Sequence, residues 1–304
     1  MLRVSLLDMV PLLEGADAAE AIRQSVKLAQ MAERCGFTRF WVSEHHDMPS
    51  LASSCPEVLL AYLGVHTSSL RIGSGAVLLP YYKPYKIAEA FHLLATLYPG
   101  RIDLGVGRAP GGSAQVSMAL SANYLEGVFK LPDALRELSE LLDGSFKVEG
   151  ETVTARPVPR HAPELWMLGT SPKSAQLAAQ LGIGYAFGQF MSDHDGREIV
   201  RRYRESFQPS ARLKEPTAIV AVGAVCAPSE AEAAELAASM PVIGPAPVPG
   251  SARRSYAGAP ARLAAELKGL ADECSADELM LVTAIADYAR RQRSLELLSA
   301  ELLR

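Results

Sequence analysis

Arg71-Ile72-Gly73-Ser74-Gly75-Ala76-Val77-Leu78-Leu79-Pro80, then Ile87, Phe91, Leu94 and Tyr98, then Arg101-Ile102-Asp103-Leu104-Gly105-Val106-Gly107: these three pieces in succession carry the architecture. The first ends in a continuous apolar run, as suits a strand covered on both faces. The four apolar residues that follow recur at helical spacing and mark an amphipathic helix. Pro99-Gly100 stops that helix. The third piece is again a strand. Strand, helix and strand at this spacing make a βαβ unit, whose two strands run parallel.

The same unit repeats in both directions. Toward the N-terminus, Arg3 to Asp8 reads as a strand and Ala18 to Gly36 as a helix, with Ile22, Val26, Ala29 and Ala32 on one stripe and Gly36 as its stop. Arg39 to Glu44 is a second strand, and a helix opened by Pro56 runs to about Ser69. Beyond the quoted stretch come a Gly/Pro loop, Arg108 to Gly112, and a helical region ending at Leu142-Asp143-Gly144. Ser145 to Arg156 reads as a small polar hairpin around Glu149-Gly150. Further strands are expected at Glu164 to Gly169, Tyr185 to Phe190, Thr217 to Ala227 and Glu278 to Ala284. Helices are expected at Ser171 to Gly182, Gly196 to Phe207, Glu230 to about Ser239, Ala261 to Cys274 and Ser294 to Leu303. Pro241 to Pro260 reads as a Pro/Gly-rich linker.

Eight strands, each followed by helix, in a chain of 304 residues predict an α/β protein. The expectation is a single-domain (β/α)8 TIM barrel over residues 1–304, with the hairpin as an excursion. A doubly wound open sheet is the alternative with the same alternation.

Composition narrows the function. The chain is 49% hydrophobic and carries a formal net charge of -4, with no basic field for nucleic acid or an anionic membrane. No run of about 18 uncharged apolar residues occurs. The opening Arg3-Val4-Ser5-Leu6-Leu7-Asp8 is too polar for a signal peptide. Cys35, Cys55, Cys226 and Cys274 are widely spaced, which predicts free thiols, and the expected location is cytoplasmic.

In a barrel the active site lies at the carboxyl ends of the strands. After the second strand stands Ser43-Glu44-His45-His46-Asp47, a compact group for handling protons. Adjacent strand residues point to opposite faces, so His45 and His46 do not share a metal ion, and no metal is expected. The alternative is a polar loop with a hydrogen-bonded histidine. After the fourth strand, Gly107-Arg108-Ala109-Pro110-Gly111-Gly112 offers close backbone approach and a fixed cation suited to phosphate. It is not a dinucleotide fingerprint, and an ordinary glycine loop is its alternative. After the fifth strand, Gly169-Thr170-Ser171-Pro172-Lys173-Ser174 opens a helix whose N-terminus suits an anion. Simple N-capping explains it equally. The glycines of the third strand leave room for a flat ring, or else pack the barrel interior. Tyr81, Tyr82 and Tyr85 cluster after that strand and suit either an interface or plain surface.

Taken together, Cys35-Gly36-Phe37, Phe40 to His46, Arg71 to Pro80 and Pro99 to Arg108 resemble the luciferase-like flavin-dependent monooxygenases, in particular their short bacterial single-chain subgroup. The resemblance implies FMN held at the strand carboxyl ends and a reaction that uses reduced FMN and O2 to oxygenate a small organic substrate. It implies that His45 is the catalytic imidazole, helped by His46 or Glu44. It places Gly75 and Ala76 under the flavin ring, joined by a non-proline cis peptide. Arg108, Thr170, Ser171 and Ser174 would bind the cofactor, the serines and the arginine at its phosphate. Lys130 or Lys173 would stand in for a second phosphate arginine. Luciferases carry an acidic residue at the position of Thr170 and a cysteine at that of Gly107, so light emission is not expected. No nicotinamide fingerprint is present, so a separate flavin reductase would supply reduced FMN. The family also implies a homodimer formed through the second and third helices. Two alternatives keep the same fold: hydride transfer with the deazaflavin F420, and a non-catalytic flavin-binding protein.

Overall fold

The computed structural model describes residues 2–13, 15–240 and 255–303. In chain order it opens with β1 (Arg3–Asp8), α1 (Ala18–Cys35), β2 (Arg39–Val42), α2 (Pro56–Val65), β3 (Arg71–Leu78), α3 (Pro84–Leu97) and β4 (Ile102–Gly107). Then come α4 (Ala114–Leu120), α5 (Tyr124–Phe129), α6 (Leu131–Asp143) and a hairpin of β5 (Lys147–Val148) and β6 (Glu151–Thr152). The second half holds β7 (Glu164–Gly169), α7 (Pro172–Leu181), β8 (Gly184–Gly188), α8 (Gly196–Glu205), β9 (Ala218–Cys226) and α9 (Glu230–Ala238). It ends with β10 (Ser255–Gly258), α10 (Pro260–Glu273), β11 (Glu278–Val282) and α11 (Tyr288–Leu302).

Parallel pairing runs β11-β1-β2-β3-β4-β7-β8, and β9 bonds to both β8 and β11. That double pairing closes eight strands into a TIM barrel and removes the open-sheet alternative. The closed sheet has two cores. Leu7, Trp41, Trp166, Ala186, Ile219, Ala221, Met280 and Val282 fill the interior. Phe40, Val42, Ile72, Leu104 and Val106 instead pack outward against the helices, with Phe91 and Leu94 of α3 and Leu60 and Leu63 of α2 among their cover. Phe40 and Val42 point out while Trp41 points in, which is why these strands read as unbroken apolar runs. Burying each such side chain contributes about 1.5–3 kcal/mol.

Helix ends follow the local chemistry. Asp17 Oδ1 accepts from the Glu20 N–H at 2.7 Å, and Gly36 stops α1 with φ 85°. The hairpin forms where expected, with left-handed φ at Glu149 and Gly150. All four cysteines are free.

Several boundaries differ from the sequence reading, each for a visible reason. β2 stops at Val42, before Glu44, because the backbone leaves the sheet to bond loops: His45 N–H to Ser53 O and His46 N–H to Gly111 O, both 2.8 Å. Leu79–Tyr81 form a 3₁₀ turn where the third strand was expected to continue to Pro80. α11 begins at Tyr288, six residues before Ser294, because Asp287 caps it through the Arg290 N–H at 2.7 Å. The expected linker contains β10, which extends the edge of β9 from Gly223 to Cys226. The rest of that stretch, Pro241 to Arg254 with its Arg253-Arg254 pair, lies outside the described residues.

One pleat below the apolar interior, toward the amino ends of the strands, the inward positions are charged. Arg39 donates to Asp103 Oδ2 at 2.9 Å, Glu278 Oε1 at 2.9 Å and Glu164 Oε2 at 3.1 Å. Arg71 Nε and Trp41 Nε1 also donate to Asp103, at 3.0 and 2.9 Å. Burial alone would lower the Arg39 pKa, but Asp103, Glu278 and Glu164 outweigh it and raise it. The guanidinium lies 4.9 Å from the Trp166 ring centroid. The amino end of the barrel is thus plugged by charges that answer one another.

Candidate functional site

At the carboxyl end the chain leaves β2 through Ser43, Glu44, His45 and His46. Ser43 Oγ lies 2.9 Å from His45 Nδ1, and the Ser53 hydroxyl donates to the Ser43 carbonyl. His45 Nε2 has no hydrogen-bond partner among the described residues. Burial lowers the pKa of His45, and the charge of His46 adds to that. The buried Glu44 carboxyl faces the other way. It accepts from the Tyr82 hydroxyl at 2.7 Å and the Leu78 N–H at 3.0 Å, and it meets His46 Nε2 at 2.8 Å. Burial raises its pKa against the pull of these three partners. The two imidazoles therefore belong to separate networks, one on a serine and one on a carboxyl.

β3 and β4 bring glycine to the same rim. The Gly75–Ala76 peptide is cis. A Cβ at Gly75 would strike Leu7 Cδ1 at 2.8 Å, so that position faces the barrel interior. A Cβ at Gly107 would stand 3.1 Å from the Ala76 methyl. By strand alternation Gly188 is the next inward position after Ala186. Small residues on three strands leave space at the mouth. The β4 loop then presses on the β2 loop: a Cβ at Gly112 would lie 2.6 Å from the His46 carbonyl. Tyr81 ties this corner together, donating to the Pro110 carbonyl at 2.7 Å and stacking on Tyr124 at 4.9 Å. The Tyr124 hydroxyl in turn donates to the Arg108 carbonyl at 2.5 Å. The exposed Arg108 guanidinium has no ion pair among the described residues.

Val106 of β4 pairs with Met167 of β7, so Arg108 and the Gly169–Ser171 turn emerge side by side. Ser171 precedes α7, with Pro172 at the first helical position where an N–H is not needed. Ser171 Oγ is buried and turned toward the Ser174 N–H in the arrangement of a capping box, but no bond of full hydrogen-bond geometry satisfies it. Lys173 is exposed two residues further on. Ser174 is turned inward: its hydroxyl donates to the Ser171 carbonyl at 2.7 Å and lies 3.0 Å from the Tyr185 hydroxyl. The Thr170 carbonyl accepts from Ser192 Oγ at 2.9 Å.

Thus His45, Arg108 and Ser171 stand at one end of the barrel, on strands in the order β2, β3, β4, β7. An unbonded imidazole nitrogen, an unpaired guanidinium, an orphaned hydroxyl and glycines facing inward fit a planar ring with a phosphate tail. Lys130 is drawn away by Glu126, one helical turn before it, which leaves Lys173 as the lysine at this rim. The Tyr81, Tyr82 and Tyr85 hydroxyls all bond within the chain, the first two to groups of this rim and the third to the Thr154 carbonyl. Tyr124 was not singled out from sequence, and Tyr82 and Ser43 were named there without the roles the structure gives them. Their signal was position alone, just beyond or one helix from a strand's carboxyl end. Among the described residues no group of three or more His, Cys, Asp or Glu is placed to hold a metal ion, and no helix is long and apolar enough to cross a membrane.

Known proteins resemble this chain in sequence and fold. The sequence pattern of the family described as luciferase-like monooxygenase matches residues 3–295. A luciferase-like monooxygenase of Escherichia coli K12 is 43% identical over 238 residues, 78% of this chain and 70% of that one. The N-acetyl-S-alkylcysteine monooxygenase of Bacillus subtilis is 44% identical over 209 residues, 68% of this chain and 62% of that one. The crystal structure of apo-MsnO8 superposes with a TM-score of 0.89 at 33% identity, covering 100% of this chain and 99% of that one. The fold alone extends to an FMN complex of the oxygenating constituent of 3,6-diketocamphane monooxygenase from Pseudomonas putida (TM-score 0.75, 19% identity, 99% and 98% covered). It extends likewise to an F420-dependent secondary alcohol dehydrogenase (TM-score 0.66, 15% identity, 99% of each chain covered). By its fold, its strand-end sequence and these matches, the chain belongs to the luciferase-like monooxygenase family.

Proposed function

We propose that the protein is a flavin-dependent monooxygenase that uses reduced FMN and O2 to oxygenate a small organic substrate. The observation that carries this is the open set of groups at one rim: His45 Nε2, the Arg108 guanidinium and Ser171 Oγ, none of them bonded within the described chain. Bound FMN would supply the oxygen chemistry. The residues of the chain do the rest. Arg108, Lys173 and the α7 N-terminus with Ser171 hold the phosphate. Ser174 shapes that turn from below, and Thr170 lines its approach. Gly75, Ala76 and Gly107 let the ring lie close to the backbone. Ser43 orients His45, which accepts or returns a proton at Nε2 beside the flavin. Reduced FMN is delivered by a separate reductase, and the protein works in the cytoplasm.

A related enzyme acts on an N-acetyl-S-alkylcysteine, so S-alkyl thioethers head the panel of substrates to test. The test supplies reduced FMN and O2 and reads oxygenated product by mass spectrometry. The same phosphate site suits F420, and a fold neighbour uses it. Titrating both cofactors separates the two: tight binding of F420 without binding of FMN overturns the oxygenase reading. A flavin carrier would bind FMN and oxygenate nothing across the panel. A homodimer is proposed through α2 and α3, where Val58, Tyr62 and Val65 on one helix and Leu93 and Leu97 on the other are exposed. Light scattering at twice the chain mass supports it, and the mass of one chain refutes it.

A further inference from the structure

The two imidazoles after β2 sit on different partners, and the partners call for different charge states. Glu44 Oε2 faces the Leu78 N–H, which only donates. Glu44 Oε1 receives the Tyr82 hydroxyl. Burial, and then Glu44 itself, raise the pKa of that phenol, so it keeps its proton and remains a donor. A proton on Oε2 would point at an N–H, and a proton on Oε1 would crowd an oxygen already taken by Tyr82. Both oxygens thus accept, the pattern of the ionised carboxyl, and these bonds together with His46 oppose the burial that raises its pKa. A buried carboxylate needs a cation. No Lys or Arg pairs with Glu44 among the described residues; the side chain that meets it is His46, at 2.8 Å. His45, the next residue back, meets only the Ser43 hydroxyl and has no carboxylate.

The other titratable or charged groups on the packed elements are few. Tyr81 and Tyr82 lie on the turn after β3, and Cys55 and Glu57 open α2. Asp47 is exposed on the same loop, and Arg108 and Tyr124 stand across the β4 loop. We propose that Glu44 and Tyr82 are positioning residues that hold His46 as a cation beside His45, so that His45 meets the flavin as a neutral imidazole. This rests on the role given to His45 above. It reassigns Glu44 and His46 from proton transfer to charge placement. An imidazolium next to His45 disfavours a second positive charge there, and the free Nε2 stays available to take a proton.

The test is the ring titration of His45 by NMR in the cofactor-free protein, its signal assigned by loss in His45→Gln. His46→Gln keeps a donor for Glu44 and removes the charge, and the His45 midpoint is expected to rise by roughly half a pH unit or more. Glu44→Gln should raise it as well, and the double variant no further than the larger single effect. His46→Lys should restore the low midpoint. A midpoint within roughly 0.2 unit of wild type in His46→Gln, or a lower one, overturns the proposal at this scale of interaction. His46 lies on a loop outside the strands and glutamine keeps a donor for Glu44, so that variant decides the matter if Glu44→Gln fails to fold. No flavin enters the measurement. If the midpoint moves as expected but reduced FMN yields no product, the oxygenase reading falls and the charge placement stands. If product forms and the midpoint does not move, the reverse holds.

Discussion

The two ends of this barrel are built from the same strands and spend their polar side chains in opposite ways. At the amino end, Arg39, Arg71, Asp103, Glu164 and Glu278 face one another across the interior, and each has an oppositely charged partner. At the carboxyl end, the Arg108 guanidinium, the His45 Nε2 and the Ser171 hydroxyl have none among the described residues. Buried charges cost several kcal/mol each unless they are paired. A closed network of them therefore holds the strands in register and offers nothing to a ligand. Groups left open at the other end cost stability unless something binds there. The pleat is common to both ends, so the difference lies in which inward positions carry charge and whether the neighbouring strand answers it.

The largest expected effect tests the closed end. Arg39→Ala strands Asp103 and Glu278, both fully buried, without their cation. Stability should fall by about 3–5 kcal/mol in denaturant unfolding. A loss below about 1 kcal/mol, the scale of an exposed pair, would show that the plug is not a working network. The next effect tests the open end. His45→Ala should lower the oxygenation rate by about 10²-fold or more, roughly 3 kcal/mol of barrel-mouth chemistry, while the unfolding midpoint stays near wild type. If stability fell in step with activity, the contrast between the ends would break. Arg108→Ala sharpens it further. FMN affinity should drop about 10- to 100-fold by equilibrium titration, the worth of a charged hydrogen bond. Lys173→Ala should cost less, and Lys130→Ala nothing. Equal losses from the two lysines would misplace the phosphate.

How far these ends were legible follows from the same contrast. Alternation of strand and helix was readable because each strand is apolar on both faces and each helix on one. The barrel closure rests on that alternation and on length. The carboxyl rim was legible where a residue type is unusual for its place: two histidines and a glutamate after β2, an arginine in a glycine loop, serines around a proline. Its partners were not. Nothing local joins Glu44 to Tyr82, 38 residues away, or Arg108 to Tyr124, 16 away. The tyrosines after β3 suited either an interface or plain surface, because an exposed and an inward-bonding phenol look alike in sequence. The amino-end plug has a sequence signal of its own. Arg39, Glu164 and Glu278 each stand two residues before an inward apolar residue, and Asp103 two before Gly105, at the first inward position of four strands. Arg39, Asp103 and Glu278 are cut off from water there and must find their opposites inside, while Glu164 answers Arg39 from the half-open rim. β10 was hidden for another reason: Ser255-Tyr256-Ala257-Gly258 is too short and too small to show a period.

The smallest expected effect concerns a charge near the amino end that does reach water. Glu33, in the last turn of α1, accepts from the N–H groups of Ser68, Ser69 and Leu70 just before β3. Partial burial pushes its pKa up, but these bonds outweigh that and bring it down to about 2. The unfolded chain, with an ordinary glutamate, binds that proton more readily, so the contribution to stability is present in full above about pH 4.5. It should fade as pH drops toward about 2. Solvent screening keeps it under about 1 kcal/mol. Glu33→Gln should therefore flatten the acid limb of stability against pH across that window and leave the neutral limb parallel to wild type. An unchanged acid limb would mean that the three N–H groups are as well served by water, and that only the buried charges of this end hold its strands.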